Sequence, residues 1–257
     1  MTAVSVAAVP GLPEINPDSD LPQIIGDALE SANTPPQDFD VLVVAQKVVS
    51  KAEGLLVDLN SVEPSDEAKK LAKKLSKDAR KVEVVLRESS RVVKTFKHPH
   101  SDEGTMICEH VSGHISANAG VDQSNIGDED AALLLPRDPD VSARTLHMAL
   151  TERFACNLGV VISDTFGRPW RMGQVNVAIG VAGLPALKNE IGSLDAHGRE
   201  MAVTVPAFGD EIAAASGLVV NKASQTPLVL VRGLNWNLEE EGQASDLVRN
   251  KSEDMFR

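Results

Sequence analysis

The sequence contains no tyrosine and is only 3% aromatic. That scarcity argues against the stacking platforms on which single-stranded nucleic acid is held. Cysteine is almost as rare. Cys108 and Cys156 are too few for a disulfide framework and read as reduced thiols of a cytoplasmic protein. No stretch of about 18 apolar residues occurs, so no membrane span is expected. Residues 1–12 are mildly apolar but lack a basic cluster, and Pro10 interrupts them, which makes a poor signal peptide. Basic charge is also in deficit. Lys and Arg number 25 against 37 Asp and Glu, a formal net charge of −12. This argues against a general nucleic-acid binder. An anionic substrate would need a local basic site or metal ions to overcome that field. There is no Walker A pattern, and no GxGxxG opens a helix after a strand. A nucleotide, if bound, is held by another route.

What is present is enough for one large domain or two small ones: 257 residues, 42% of them hydrophobic. Asp20–Ala32 reads as a helix capped by Asp20, with Pro22 in its first turn and Ile24, Ile25, Ala28 and Leu29 as its apolar stripe. Val41–Ala45 reads as a buried strand. Ser65–Lys81 reads as a charged helix with a solvated lysine face. Val82–Leu86 and Arg91–Phe96 look like paired strands, and Met106–His110 with His114–Asn118 like a hairpin turned at Ser112-Gly113. A helix is expected over Arg144–Phe154, entered at Ser142. A strand is expected over Gly198–Val205, a short helix over Asp210–Ala215 and a last strand over Leu228–Val231. The acidic tail after Asn237 is expected to fray. No linker marks a domain boundary, so the chain reads as a single unit over 1–257, with two interleaved subdomains as the alternative. The mixture indicates an α+β fold with mixed sheets and flanking helices.

Four segments carry candidate chemistry. Gly11-Leu12-Pro13-Glu14-Ile15 is, alone, a turn between apolar runs. Gln46-Lys47-Val48-Val49-Ser50-Lys51-Ala52-Glu53-Gly54 places lysines in a loop just beyond a buried strand, where phosphates are commonly met. Lys51 suits a phosphate point charge or an ordinary surface position. In Ser116–Asn125, small residues precede Asp122 and Asn125; a metal ligand with a hydrogen-bonding partner and an Asx-rich turn are both open readings. The fourth follows the β-forming run Gly159–Ser163, which is expected to end at Asp164 and Thr165. Arg168 and Arg171 come next, then a strand near Val175. Asp122 and Asp164 together would supply carboxylates from two strand ends. Hard cations such as Mg²⁺ and Mn²⁺ take oxygen ligands of this kind, and two of them beside a triphosphate fit phosphoryl transfer. A rival reading is a zinc site among His98, His100, Cys108, His110 and His114, although their spacing matches no zinc motif.

Taken in order, these four segments resemble the coenzyme F420-0:L-glutamate ligase family, also called F420 γ-glutamyl ligases. The resemblance runs from about Pro10 to Gly233 and is to the free-standing form. It implies an unusual α+β fold in an intertwined homodimer. The implied activity is a ligase in which the GTP γ-phosphate activates a carboxylate of F420-0 as an acyl phosphate. The α-amine of L-glutamate then attacks, releasing phosphate and GDP, and later rounds extend through γ-glutamyl links. The implied cofactors are two divalent cations, Mg²⁺ or Mn²⁺, and K⁺. By resemblance, Leu12, Pro13, Glu14, Ile15, Gln46, Lys51 and Asn125 contact GTP, with Gln46 where relatives often carry serine. Asp122 and Asp164 hold the first metal and Thr165 the second, and Asp164, Arg168 and Arg171 are the catalytic candidates. Val220-Asn221-Lys222-Ala223-Ser224 corresponds to a further nucleotide and metal region, where Lys222 departs from an oxygen ligand. The implied partners are the small molecules GTP, L-glutamate and F420-0, with no nucleic acid and no membrane. Two other classes stay open: a nucleotide or cofactor carrier without turnover, and a metal-dependent phosphohydrolase.

Overall fold

The computed structural model of the chain describes residues 3–123, 130–220 and 226–254. In chain order the elements are β1 (Ser5–Val9), α1 (Leu21–Ser31), β2 (Val41–Ala45), α2 (Gln46–Ala52), β3 (Leu56–Asp58), α3 (Asp66–Leu75) and α4 (Ala79–Arg87). Then follow β4 (Ser89–Phe96), β5 (Thr105–His110), β6 (Ile115–Ala117), β7 (Ala131–Leu133), α5 (Pro139–Phe154), β8 (Gly159–Arg168), β9 (Arg171–Ala182), α6 (Phe208–Ser216) and β10 (Leu228–Arg232). Helices and strands are intermixed without a βαβ series, as an α+β chain requires.

The principal sheet runs β1-β10-β2-β8-β9. Its one parallel pair, β2 with β8, lies at the centre, and the other pairs are antiparallel. The central strands β2 and β10 and the first half of β8 are rich in β-branched residues and buried on both faces. Leu42, Val44, Val160 and Ile162 pack under α1 and α5 against Ile25, Leu29, Leu146 and Leu150. Val41, Val43 and Val161 face the other way, onto Phe208 and Ile212 of α6 and onto Trp236. This period of two is what strand geometry dictates. At Gly180 of β9 an added Cβ would lie 2.3 Å from the carbonyl oxygen of Pro139, so only glycine lets the start of α5 dock this closely. A third core gathers α3, α4 and the β4-β5-β6 sheet around Leu75, Val82, Met106 and Cys108.

Several expectations are corrected. The helix expected over Ser65–Lys81 is two: α3 stops at Ser76, which is left-handed at φ 53°, and Asp78 starts α4 by accepting the Arg80 N–H. Val82–Leu86 is therefore helical rather than a strand. Its cap and its buried valines override β propensity. The fifth helix begins at Pro139, capped by Asp138, a turn earlier than Ser142 suggests. Gln46–Ala52 is a helix rather than a loop. The β8 strand does not end at Asp164 but runs to Arg168, because β9 offers it a ladder partner throughout. Gly198–Val205 forms no regular strand: it folds back on residues 190–195 through scattered backbone bonds, such as Met201 N–H to the Ser193 carbonyl, and one isolated bridge from Glu200 to Leu194. The tail does not simply fray. Asp140, buried in α5, accepts the N–H groups of Val181, Ala244 and Ser245, and short 3₁₀ turns form at Ala244–Leu247 and Lys251–Glu253. None of the described helices is long and apolar enough to cross a membrane.

Candidate active site

Strand direction assembles the site. The C-terminal ends of β1, β2 and β8 lie at the same end of the sheet as the starts of β9 and β10. Residues 11–15 leave β1 there, α2 leaves β2 there, and Asp164 sits one residue beyond Ser163, the partner of Ala45. Segments more than 100 residues apart in sequence are thus brought to one edge.

Two ion pairs join them. Lys51 of α2 pairs with Glu14, tying the first segment to the second. Lys47, four residues earlier and therefore on the same helical face, pairs with Asp122. Asp122 is itself fixed by a two-way backbone bridge to Leu133. Gln46 is buried; its Oε1 accepts from the Ser50 hydroxyl at 2.8 Å, and its enclosed Nε2 has no hydrogen-bond partner among the described residues. Leu12 packs against the core and Ile15 is part of it, so of the first segment Pro13 and Glu14 present exposed side chains. Lys47 is the residue that motif reading left without a role. Its spacing from Lys51 is the signal for it, once the segment is recognised as a helix.

Asp164 and Thr165 are neighbours on β8, so their side chains leave opposite faces. Asp164 lies across from Val177 on the face toward α1 and α5. Thr165 donates its hydroxyl to Asn176 Oδ1 at 2.9 Å, and Asn176 donates in turn to Ser216 of α6. Arg168 and Arg171 sit at the exposed tip of the β8–β9 ribbon, about 13 Å along the strand from Asp164. Trp170, 81% exposed, and Met172, 96% exposed, flank them. Asn125 and Lys222 lie outside the described residues.

Asp164 lies on β8 and Asp122 reaches the same sheet end through its pair with Lys47; both offer carboxylate oxygens of the kind a hard cation takes, and Asp122 already accepts a positive charge. Among the described residues no group of three or more His, Cys, Asp and Glu is placed to hold a metal. A cation held by two carboxylates alone would take the rest of its shell from water and substrate oxygens. The histidine alternative fares less well. Cys108 is fully buried, His110 bonds Ser112 through Nδ1 at 2.7 Å, and His114 stands edge-on to Phe166.

The profile of the F420-0:Gamma-glutamyl ligase family matches residues 11–233. The chain belongs to this family. It is 41% identical to the coenzyme F420:L-glutamate ligase of Methanopyrus kandleri, over 100% of this chain and 99% of that one. It is 38% identical to the ligase of the same name from Methanothermobacter thermautotrophicus, over 99% of both chains. With that of Archaeoglobus fulgidus it shares 39% identity over 99% of this chain and 96% of that one. The segments gathered at the sheet end are thus those of an F420 ligase, and all but residues 1–10 and the tail fall within the family match.

Proposed function

We propose that this chain joins L-glutamate to F420-0, with GTP as phosphoryl donor, in the making of coenzyme F420. The observation that carries the reading is the convergence of residues 11–15, α2, Asp122 and Asp164 on one end of the sheet in a member of this ligase family. Lys47 and Lys51 supply fixed positive charge for the phosphates. A carboxylate oxygen of the acceptor takes the γ-phosphoryl group and GDP leaves. The glutamate amine then attacks the acyl carbon, loses a proton, and phosphate departs with its bridging oxygen. A divalent ion, Mg²⁺ or Mn²⁺, held by Asp122 and Asp164 would neutralise phosphate charge in a protein of net charge −12. A second divalent ion near Thr165 and a monovalent K⁺ complete the same reading. The exposed ribbon tip, with Trp170 and Met172, supports an intertwined homodimer in which Arg168 and Arg171 serve the other subunit's site.

Mass spectrometry of F420-0 incubated with the protein, GTP, Mn²⁺ and L-glutamate tests the reading. Glutamylated product with matching GDP and phosphate is expected. GTP hydrolysis that ignores glutamate would make the protein a phosphohydrolase, and binding without turnover would make it a carrier.

A further inference from the structure

A cavity of about 240 Å³ opens between the β5–β6 turn, the β8–β9 ribbon, the first turn of α6 and the tail. It is larger than the roughly 150 Å³ hollow that admits a benzene. Phe166 and Val177 form an apolar wall. Both adjoin Asp164: Phe166 is two residues along the same face of β8, and Val177 is its cross-strand neighbour. The cavity therefore borders the expected phosphoryl-transfer residues without including them.

Its polar groups are of two signs on separate elements. Asp210 of α6 accepts the Ala178 N–H at 2.9 Å and has no cationic partner among the described residues. Burial pushes its carboxyl above the usual carboxylate range, the mark of a charge without compensation. Arg249, exposed in the tail, forms no ion pair among the described residues. Asp254 also reaches the cavity and already has an interaction of its own. His114 is half-buried, and desolvation lowers its pKa to about 4, so it adds no charge at neutral pH. An apolar wall between an uncompensated carboxylate and an unpaired guanidinium matches a zwitterion.

We propose that this cavity is the subsite for the free amino acid, with its ammonium on Asp210 and its carboxylate on Arg249. The assignment rests on the ligase reading and deepens it. It places the amine nucleophile beside Asp164, on the opposite side from the lysines of α2. It also gives the tail a purpose: the anchoring of Ala244 and Ser245 on Asp140, and of Lys251 on Glu109 at 3.0 Å, holds Arg249 over the cavity.

Arg249→Gln and Asp210→Asn test it. The first removes an exposed charge, and the second keeps an oxygen for the Ala178 N–H, so both should fold. L-glutamate is titrated calorimetrically, and KM is measured separately for glutamate and GTP. Each variant should raise glutamate Kd and KM by about tenfold or more, the loss expected of a charge-assisted hydrogen bond, with GTP KM nearly unchanged. Wild-type protein that ligates while both variants keep its glutamate KM would overturn the subsite and leave the ligase reading intact. Glutamate binding that both variants weaken, in a protein that forms no glutamylated product, would keep the subsite and overturn the ligase reading. A wild-type protein that neither binds glutamate nor ligates overturns both.

Discussion

Lys47 of α2 holds the carboxylate of Asp122, a residue 75 positions away that follows Val121 of the third core. The pair places an ammonium where a divalent cation is expected to sit. On the proposed reading, lysine and cation would compete for Asp122. Replacing Lys47 with Met should tighten binding of Mn²⁺ alone, read by calorimetry without nucleotide. The same change should weaken GTP binding, because the ammonium that a cation displaces from Asp122 is the charge offered to phosphate, and methionine has none. Effects of opposite sign are the signature; loss or gain of both together would mean that Lys47 only braces the fold.

Lys51 makes a simpler case. Its partner Glu14 is exposed, and the pair is lateral to the sheet end rather than part of a core. Lys51→Ala should weaken GTP binding by about 1.5–3 kcal/mol if the lysine donates a charge-assisted hydrogen bond to phosphate. Glutamate binding should change much less. Equal GTP affinity in variant and wild type would return Lys51 to the surface lysines.

Asp164→Asn should nearly abolish ligation while the protein stays folded. The amide keeps the shape of the side chain, and the β8 ladder with β9 does not depend on it. What it loses is a negative charge at the strand end where β2 and β8 run parallel. Turnover close to wild type at saturating Mn²⁺ would exclude Asp164 from metal binding.

The parts of this architecture legible in the sequence were those set by local rules. The first helix carries its cap and stripe openly, and β2 and β10 are short apolar runs that the structure keeps nearly unchanged. Residues 46–52 read as a loop because polar side chains follow directly on a strand, yet Val48 and Val49 are buried and make the segment helical; residues 82–86 read as a strand because three of the five are valine. Whether valine builds a strand or a helix face was decided by what packed on it, which local propensity does not contain. The extension of β8 past Asp164 depended on β9 being there to pair with it. In the site, the carboxylates and Lys51 were readable as motif residues. The Lys47–Asp122 pair and the cavity beside Phe166 were not, since Asp210 and Arg249 come from segments brought together only by the tail folding back.

That tail rests on Asp140. One of its oxygens accepts from Val181 at 2.9 Å and Ala244 at 2.7 Å, and the other from Ser245 at 3.2 Å. Ala at this position would leave buried N–H groups of β9 and of the tail without acceptors. Each such group costs about 1–3 kcal/mol, so Asp140→Ala should destabilise by about 3 kcal/mol or more in urea unfolding. Proteolysis should also cut the tail sooner in the variant. A change below about 1 kcal/mol would mean that water replaces the carboxylate without loss.

Acid should weaken the fold in two separable windows. His114 is half-buried beside His110, and desolvation first, then the like charge of His110, lowers its pKa from 6.5 to about 4, against an opposing pull from Asp140. The unfolded chain binds a proton at this histidine as pH falls below 6.5, whereas the folded chain resists doing so until about 4. The stabilisation is therefore complete above 6.5 and is lost progressively between 6.5 and 4. Glu83 acts lower. Hydrogen bonds from the Ser65 hydroxyl and N–H bring its pKa from 4.5 to about 2, so its contribution persists to 4.5 and fades only below it. Urea unfolding from pH 7 to pH 5 thus isolates the histidine. Wild-type stability should decline across that interval, and His114→Gln, with nothing to protonate there, should show a flatter profile. Parallel profiles for the two proteins would place His114 in contact with water and move the acid sensitivity elsewhere.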